Sequence, residues 1–428
     1  MTAFRHEARH SIALAALPLL LFAHCALAVK WLWPGTDVWL NMTSAVVGAS
    51  MLSGPMVAGI AAWVATRERR RRTAYLRLTS ARSPFASLLL EWSVVAAVTT
   101  FAYLVVAAVL AVKTAVGATT GGPDLAWLAT GLIALLLIAT AGYALGRFVP
   151  KVWTPPLAAL LIYLYSAWDL RHSGSSWSYL SPVTMQETSL FRPMNHVLIA
   201  GQAIWYLAIM AVLAGVLALV MGALRPAVPV VTVAAGLVGV VVGGTVVLNQ
   251  HGRILDAPSP VTYTCSATAP QICIHPAFAK GLPRVTTVFL ALHDKVAGTP
   301  ADFTRLQQLP RDVTMQPAAG SRRFALDSYQ DEDLRWAIDE YLSAVSVGGP
   351  SCAGQEAYDR GYVTNVAVVR SWLTDDVRPL IGDRSAAPRL QWFSSLTEQQ
   401  RREWFRRNYP AITGCTLADG AFGGKVNP

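Results

Sequence analysis

Seven long runs almost free of charge fill the first 248 residues and leave this chain few ways to fold. A helix that crosses a bilayer needs roughly 20 mostly apolar residues, and in lipid its backbone groups must be satisfied within the helix. The runs lie near 11–33, 43–65, 87–112, 125–148, 152–168, 197–221 and 227–248. The fifth is the shortest and opens on Pro155-Pro156, so it holds a helix only if the first turn starts near those prolines. Beyond Leu248 the pattern becomes that of an ordinary globular domain. The expected fold is an α-helical polytopic membrane part over 1–248, a Pro-rich linker at 249–260 and a mostly helical α+β domain over 261–428. A charged fraction of 14%, against about 25% in soluble domains, excludes an ordinary soluble protein.

Charge orients the runs. The net charge is +10, and the first 248 residues carry 16 basic against 7 acidic side chains. Sorted by alternate loops, Arg5, Arg9, Arg67, Arg69 to Arg72, Arg77, Arg82, Arg147, Lys151 and Arg225 fall on one side. Lys30, Lys113, Arg171 and Arg192 fall on the other. A basic excess between membrane helices is a topology signal rather than a nucleic-acid site, and it places the N-terminus in the cytoplasm. After an odd number of spans the C-terminal domain lies outside. Four of the five cysteines, Cys265, Cys273, Cys352 and Cys415, belong to that domain, as an oxidising compartment would have it. Four cysteines allow three pairings. Cys265–Cys273 with Cys352–Cys415 is the favoured one, because the first two are close in sequence. A basic start, an apolar core and Ala26-Leu27-Ala28 also fit a signal peptide. The uncleaved span is preferred, and cleavage would leave every later orientation unchanged.

The stretch from Thr66 to Trp92, "TRERRRRTAYLRLTSARSPFASLLLEW", is the most distinctive loop. Arg69 to Arg72 need no more than a stop-transfer role. Tyr75, Leu76 and Leu78, followed by Ser83-Pro84 and a new apolar run, read as a short interfacial helix entering the third span. With Arg67-Glu68, Leu76-Arg77-Leu78-Thr79 and Arg82-Ser83-Pro84 in sequence, the arrangement resembles the membrane subunits of ATP-binding-cassette (ABC) exporters. The resemblance covers the first 248 residues. It implies that Arg67, Glu68, Tyr75, Leu76, Arg77, Leu78, Thr79, Arg82 and Pro84 form a coupling loop docking on a cytoplasmic ATP-binding subunit. It also implies a homodimer or heterodimer of permease chains in a bacterial plasma membrane, and an N-terminal elbow along the inner leaflet, which Phe4 to His10 fits. A seventh span and an appended external domain depart from the six-span plan, an addition found in actinobacterial-looking permeases. The segment Asp169 to His196 stands where that family often has short re-entrant helices.

No G-x-x-x-x-G-K-[ST] stretch is present, so ATP hydrolysis is expected in a partner and no cofactor in this chain. Glu91 is placed near the cytoplasmic end of the third span, reaching the interface. Few ionisable residues lie deeper, which favours an apolar or amphipathic substrate over proton coupling. Gly236, Gly239, Gly243 and Gly244 serve either close helix packing or merely a glycine-tolerant span. The rival reading is a non-transport sensor or scaffold displaying an external domain. A more remote one rests on His6-Glu7-Ala8-Arg9-His10, an H-E-x-x-H zinc-protease pattern. That motif lies before the first apolar run, no later run shows a buried Asp to complete it, and Arg5 and Arg9 repel a divalent cation.

In the C-terminal region short strands are expected at Val261 to Tyr263 and Ile272 to Ile274. Helices are expected at Pro276 to Val296, Asp333 to Val345, Glu356 to Leu373 and Thr397 to Asn408, the last capped by Thr397. Cys273-Ile274-His275 reads as a disulfide cysteine followed by a helix-capping His-Pro step, not as a catalytic or metal pair. Arg401, Arg402, Arg406 and Arg407 read as a solvated face.

Overall fold

The computed structural model describes residues 7, 11–32, 38–70, 84–182, 188–221, 227–311, 315–347 and 361–423. The chain divides into two compact units, Met1–Ser259 and Pro260–Pro428.

Among the described residues, each of the seven apolar runs contains helix. After a single turn at Ile12–Ala15, the first unit comprises α1 (Leu17–Trp31), α2 (Trp39–Gly48), α3 (Ser50–Arg70) and α4 (Pro84–Gly117). It continues with α5 (Leu125–Phe148), α6 (Thr154–Arg171), α7 (His196–Val220) and α8 (Ala227–Asn249). Among the described residues, five helical stretches are long and apolar enough to cross a membrane: Trp39–Arg67, Phe85–Gly117, Leu125–Phe148, His196–Val220 and Ala227–Asn249. The first run gives only the 15 residues of α1, and the fifth the 18 of α6. The run expected at 43–65 starts earlier, at Trp39, and is articulated at Ala49 into α2 and α3. Helix starts follow the local chemistry. The Asp124 carboxylate accepts from Trp127 N–H at the head of α5, and Asn195 Oδ1 accepts from Val197 and Leu198 N–H at the head of α7. Helix α6 begins at Thr154, with its prolines in the first turn, where a missing N–H costs nothing.

Two glycine seams set the packing. On α5, Gly142 and Gly146 face Ala58 and Ala62 of α3 one turn apart on each side; a Cβ at Gly146 would stand 2.7 Å from the Ala62 carbonyl oxygen. This is the small-xxx-small arrangement that lets membrane helices meet backbone to backbone. The α7–α8 hairpin closes in the same way. A Cβ at Gly236 would come within 3.0 Å of the Ala208 oxygen, and one at Gly243 within 2.6 Å of Trp205 N. Of the two readings of the last-run glycines, close packing is the one the hairpin requires.

The segment before α7 descends beside it. Gln202 Nε2, Trp205 Nε1 and Tyr206 Oη donate to the successive carbonyls of Tyr179, Leu180 and Ser181, at 2.7, 3.1 and 2.6 Å. Tyr206 lies about 15 Å along α7 from its start, so three side chains satisfy irregular backbone that would otherwise be costly there. The stretch after α8 is also tied down. Ile254 and Arg253 carbonyls accept from the Asn195 backbone and side chain, and the Asp256 carbonyl from Arg192.

The second unit carries a four-stranded sheet in the order β1 (Thr264–Cys265), β2 (Gln271–Ile274), β3 (Arg305–Gln308), β4 (Arg322–Phe324). The first pair is antiparallel and the other two are parallel. Its helices are α9 (Leu282–Val296), α10 (Asp331–Ala344), α11 (Tyr362–Leu373), α12 (Ala387–Ser395) and α13 (Glu398–Thr413). No strand forms at Val261 to Tyr263; β1 is the two residues that follow. Of the helix expected at Glu356 to Leu373, residues 356–360 lie outside the described residues. Strands β3 and β4 and helix α12 were not anticipated. One aromatic cluster joins Phe289, Phe324, Phe303 and Tyr341; another joins Trp372, Phe393, Trp404, Phe405 and Phe422.

Candidate functional site

The stretch at 67–84 is reached by helices on both flanks, and each flank is pinned by an ion pair. On the upstream side, Arg67 in the last turns of α3 pairs with Glu7, and both side chains are largely buried. Glu68 lies in α3 and Pro84 opens α4. Tyr75, Leu76, Arg77, Leu78, Thr79 and Arg82 fall outside the described residues, as do His6 and His10.

On the downstream side α4 carries Glu91, and α5 carries Tyr143 and Arg147 one turn apart. Glu91 does not reach an interface. The residue is 5% exposed, and its carboxylate pairs with Arg147, itself buried. Tyr143 sits between them. Its hydroxyl donates to Glu91 Oε2 at 2.9 Å and accepts from Arg147 Nη2 at 3.0 Å, with the guanidinium 5.3 Å from the ring centroid. Trp92, the residue after Glu91, donates through Nε1 to Oγ1 of Thr140, about a turn before Tyr143, at 3.1 Å, and that hydroxyl donates to the Leu136 carbonyl at 2.7 Å. A buried pair of this kind is poor evidence of net stability, since desolvating both charges offsets much of their attraction. What it supplies is registry: α4 cannot shift along α5 without stranding a buried charge.

Two further buried groups escaped the sequence reading. His24 of α1 is 1% exposed, with Nδ1 2.8 Å from Ser53 Oγ of α3 and its ring edge-on to Tyr103 at 5.6 Å. The Ser53 hydroxyl gives its hydrogen to the Ala49 carbonyl, so the imidazole donates through Nδ1. Asp169, expected at the start of an external loop, lies in the last turn of α6 and is 3% exposed. A later helix thus does bury an Asp, contrary to the expectation from the sequence. Its signal was present: the apolar run continues through Trp168 and Leu170 on either side of it.

The zinc-protease reading is weakened by a different observation. The Glu7 carboxylate, which would have to activate a metal-bound water, is engaged by Arg67.

In the second unit Cys265 and Cys273 form the expected disulfide, across a hydrogen-bonded strand pair. Cys415 is also disulfide-bonded, while Cys352 lies outside the described residues. His275 Nδ1 accepts from Ala277 N–H and caps the short helical turn Pro276–Gly281, as the His-Pro step implied. On α13, Thr397 and Gln400 form a reciprocal capping box, and Arg402 and Arg407 pair with Glu398 and Glu403 one turn earlier. Arg406 instead donates to the Ala297 carbonyl at 3.2 Å. A separate cleft of about 330 Å³ is lined by Arg311, Arg323 and Glu340. Burial pushes the Glu340 carboxyl up, and the two guanidinium groups only partly offset it.

The chain matches no family model, and no curated protein or solved structure is similar to it.

Proposed function

We propose that the chain is the membrane-spanning subunit of an ABC exporter in a bacterial plasma membrane. Its N-terminus is cytoplasmic, its C-terminal domain extracytoplasmic, and its ATPase a separate polypeptide. It works as a homodimer or heterodimer and moves an apolar or amphipathic substrate. The observation that carries this reading is the double bracket on the loop at 67–84. A force applied to that loop by a closing ATPase would pass from α3 to the N-terminal segment through Arg67 and Glu7, and from α4 to α5 through Glu91 and Arg147. A plain stop-transfer loop needs neither ion pair. Five membrane-length helices, the one-sided basic loops and a disulfide in the second unit support the orientation.

Mild-detergent purification of the tagged chain from its native host tests the proposal. An ATP-hydrolysing subunit should co-purify, and Leu76→Asp with Leu78→Asp should abolish its recovery while leaving the membrane chain folded. Failure of any such subunit to co-purify with the unaltered chain would overturn it.

A further inference from the structure

Between α4, α5 and α7 the first unit holds an apolar cavity of about 270 Å³, half open at the surface where Leu89 and Leu207 line it. Leu88 and Trp92 contribute one wall, Tyr143 a second, and Leu207, Met210 and Ala214 the third. Its polar side chains are Trp92, Thr140 and Tyr143, and each is satisfied by the protein itself. Trp92 Nε1 is given to Thr140, the Thr140 hydroxyl to the Leu136 carbonyl, and the Tyr143 hydroxyl to Glu91. No donor is left over to hold a water or a polar ligand. Apolar cavities of about 150 Å³ already stay dry and take up hydrocarbon. Met210 adds a side chain that refits to occupants of different shape.

We propose that this cavity binds the alkyl chain of an amphiphile. The occupant lies against Trp92 and Tyr143, which bridge α4 to α5 beside the Glu91–Arg147 pair, so filling the cavity and shifting the α4–α5 register are coupled. Identification of the bound amphiphile as cargo rests on the transporter reading; alkyl binding itself does not. The chain has two sources, a free single-tailed amphiphile or a bilayer phospholipid.

The test places the full-length protein in phosphatidylcholine nanodiscs. One sample receives a fatty acid carrying a mid-chain diazirine, the other a phosphatidylcholine carrying the same group in one acyl chain. After illumination, adducts are mapped by peptide mass spectrometry. Labelling is expected on the Leu207–Leu217 face of α7 and on Leu88 or Trp92. Excess unlabelled fatty acid should suppress it, whereas adducts on the outward-facing Phe101 and Val241 should persist. Ala211→Phe and Ala214→Phe, made separately, should each cut wall labelling about tenfold, the equivalent of excluding one buried apolar group. Labelling by the fatty acid alone supports a free amphiphile, and labelling by both supports an acyl chain from either source. Adducts confined to outward-facing positions, or wall adducts that neither competitor nor substitution reduces, would overturn the proposal. The competition arm needs no variant, so a misfolded substitution cannot mask the result. Wall labelling without a co-purifying ATPase would leave this site standing and remove only its role in transport.

Discussion

At the scale of single residues, Glu91 and Arg147 make the sharpest demand, because each is tolerable in its buried position only while the other is charged. Glu91→Gln should destabilise the first unit by about 3–5 kcal/mol, since it leaves the guanidinium buried and uncompensated. Glu91→Leu combined with Arg147→Met should recover most of that loss. Unfolding in detergent micelles followed by circular dichroism, read as a double-mutant cycle, checks both. Strict additivity of the two single effects would refute the pairing. Glu340 supplies a pH effect of known sign. Its carboxyl is held above its ordinary range mainly by burial, so the folded state binds the proton more tightly than the unfolded chain. Its contribution therefore grows less favourable as pH rises from the ordinary carboxylate value through the raised one. Glu340→Gln should stabilise the second unit at neutral pH, with the advantage shrinking on acidification. Thermal melts at a series of pH values would expose a wrong sign directly.

At the scale of elements, the glycine seam between α3 and α5 makes the most testable claim. Gly146→Leu must push the helices apart against backbone rather than displace a flexible side chain, and should cost about 3 kcal/mol or more. A conservative Gly146→Ala should lie between; if Leu is accommodated without loss of thermal stability, the seam is not tight. The apolar runs were legible because the bilayer imposes length and composition together, and α5 begins and ends where the sequence placed it. The seam was also written there, as Gly142-x-x-x-Gly146 and Ala58-x-x-x-Ala62, but small residues carry no hydropathy signal and are overlooked when spans are read by apolarity. The break at Ala49 directly follows Gly48, but a lone glycine inside an apolar run does not by itself end a helix; Pro55 lies further along, inside α3. Strands β3 and β4 were illegible for another reason. "RLQQ" and "RRF" are too short and polar to alternate, and only their parallel neighbours make them strands.

At the scale of the whole molecule, division into two compact units predicts that residues 260–428 fold by themselves when secreted. Closing the short loop between Cys265 and Cys273, eight residues apart, is worth about 2–3 kcal/mol on the chain-entropy argument. Replacing both by serine should lower the melting temperature of that fragment, and in the intact protein both thiols should resist labelling until reductant is added. Rapid labelling without reductant would contradict the bond. The site itself was half legible. The loop at 67–84 stands out by its arginines, whereas the ion pairs that bracket it join residues 60 and 56 positions apart, which no local pattern can reveal. The two kinds of helix contact in the first unit have a mechanical consequence. Where Gly142 and Gly146 meet Ala58 and Ala62, no contacting side chain has a rotamer to change, so that crossing has little internal slack and is expected to behave as a stiff joint. Around the cavity, α4 and α7 meet α5 through long side chains that do have alternative rotamers. Compliance in the bundle is thus expected to be concentrated on one side, so that a rearrangement of these helices would be taken up around the cavity, with the glycine crossing as its fixed frame.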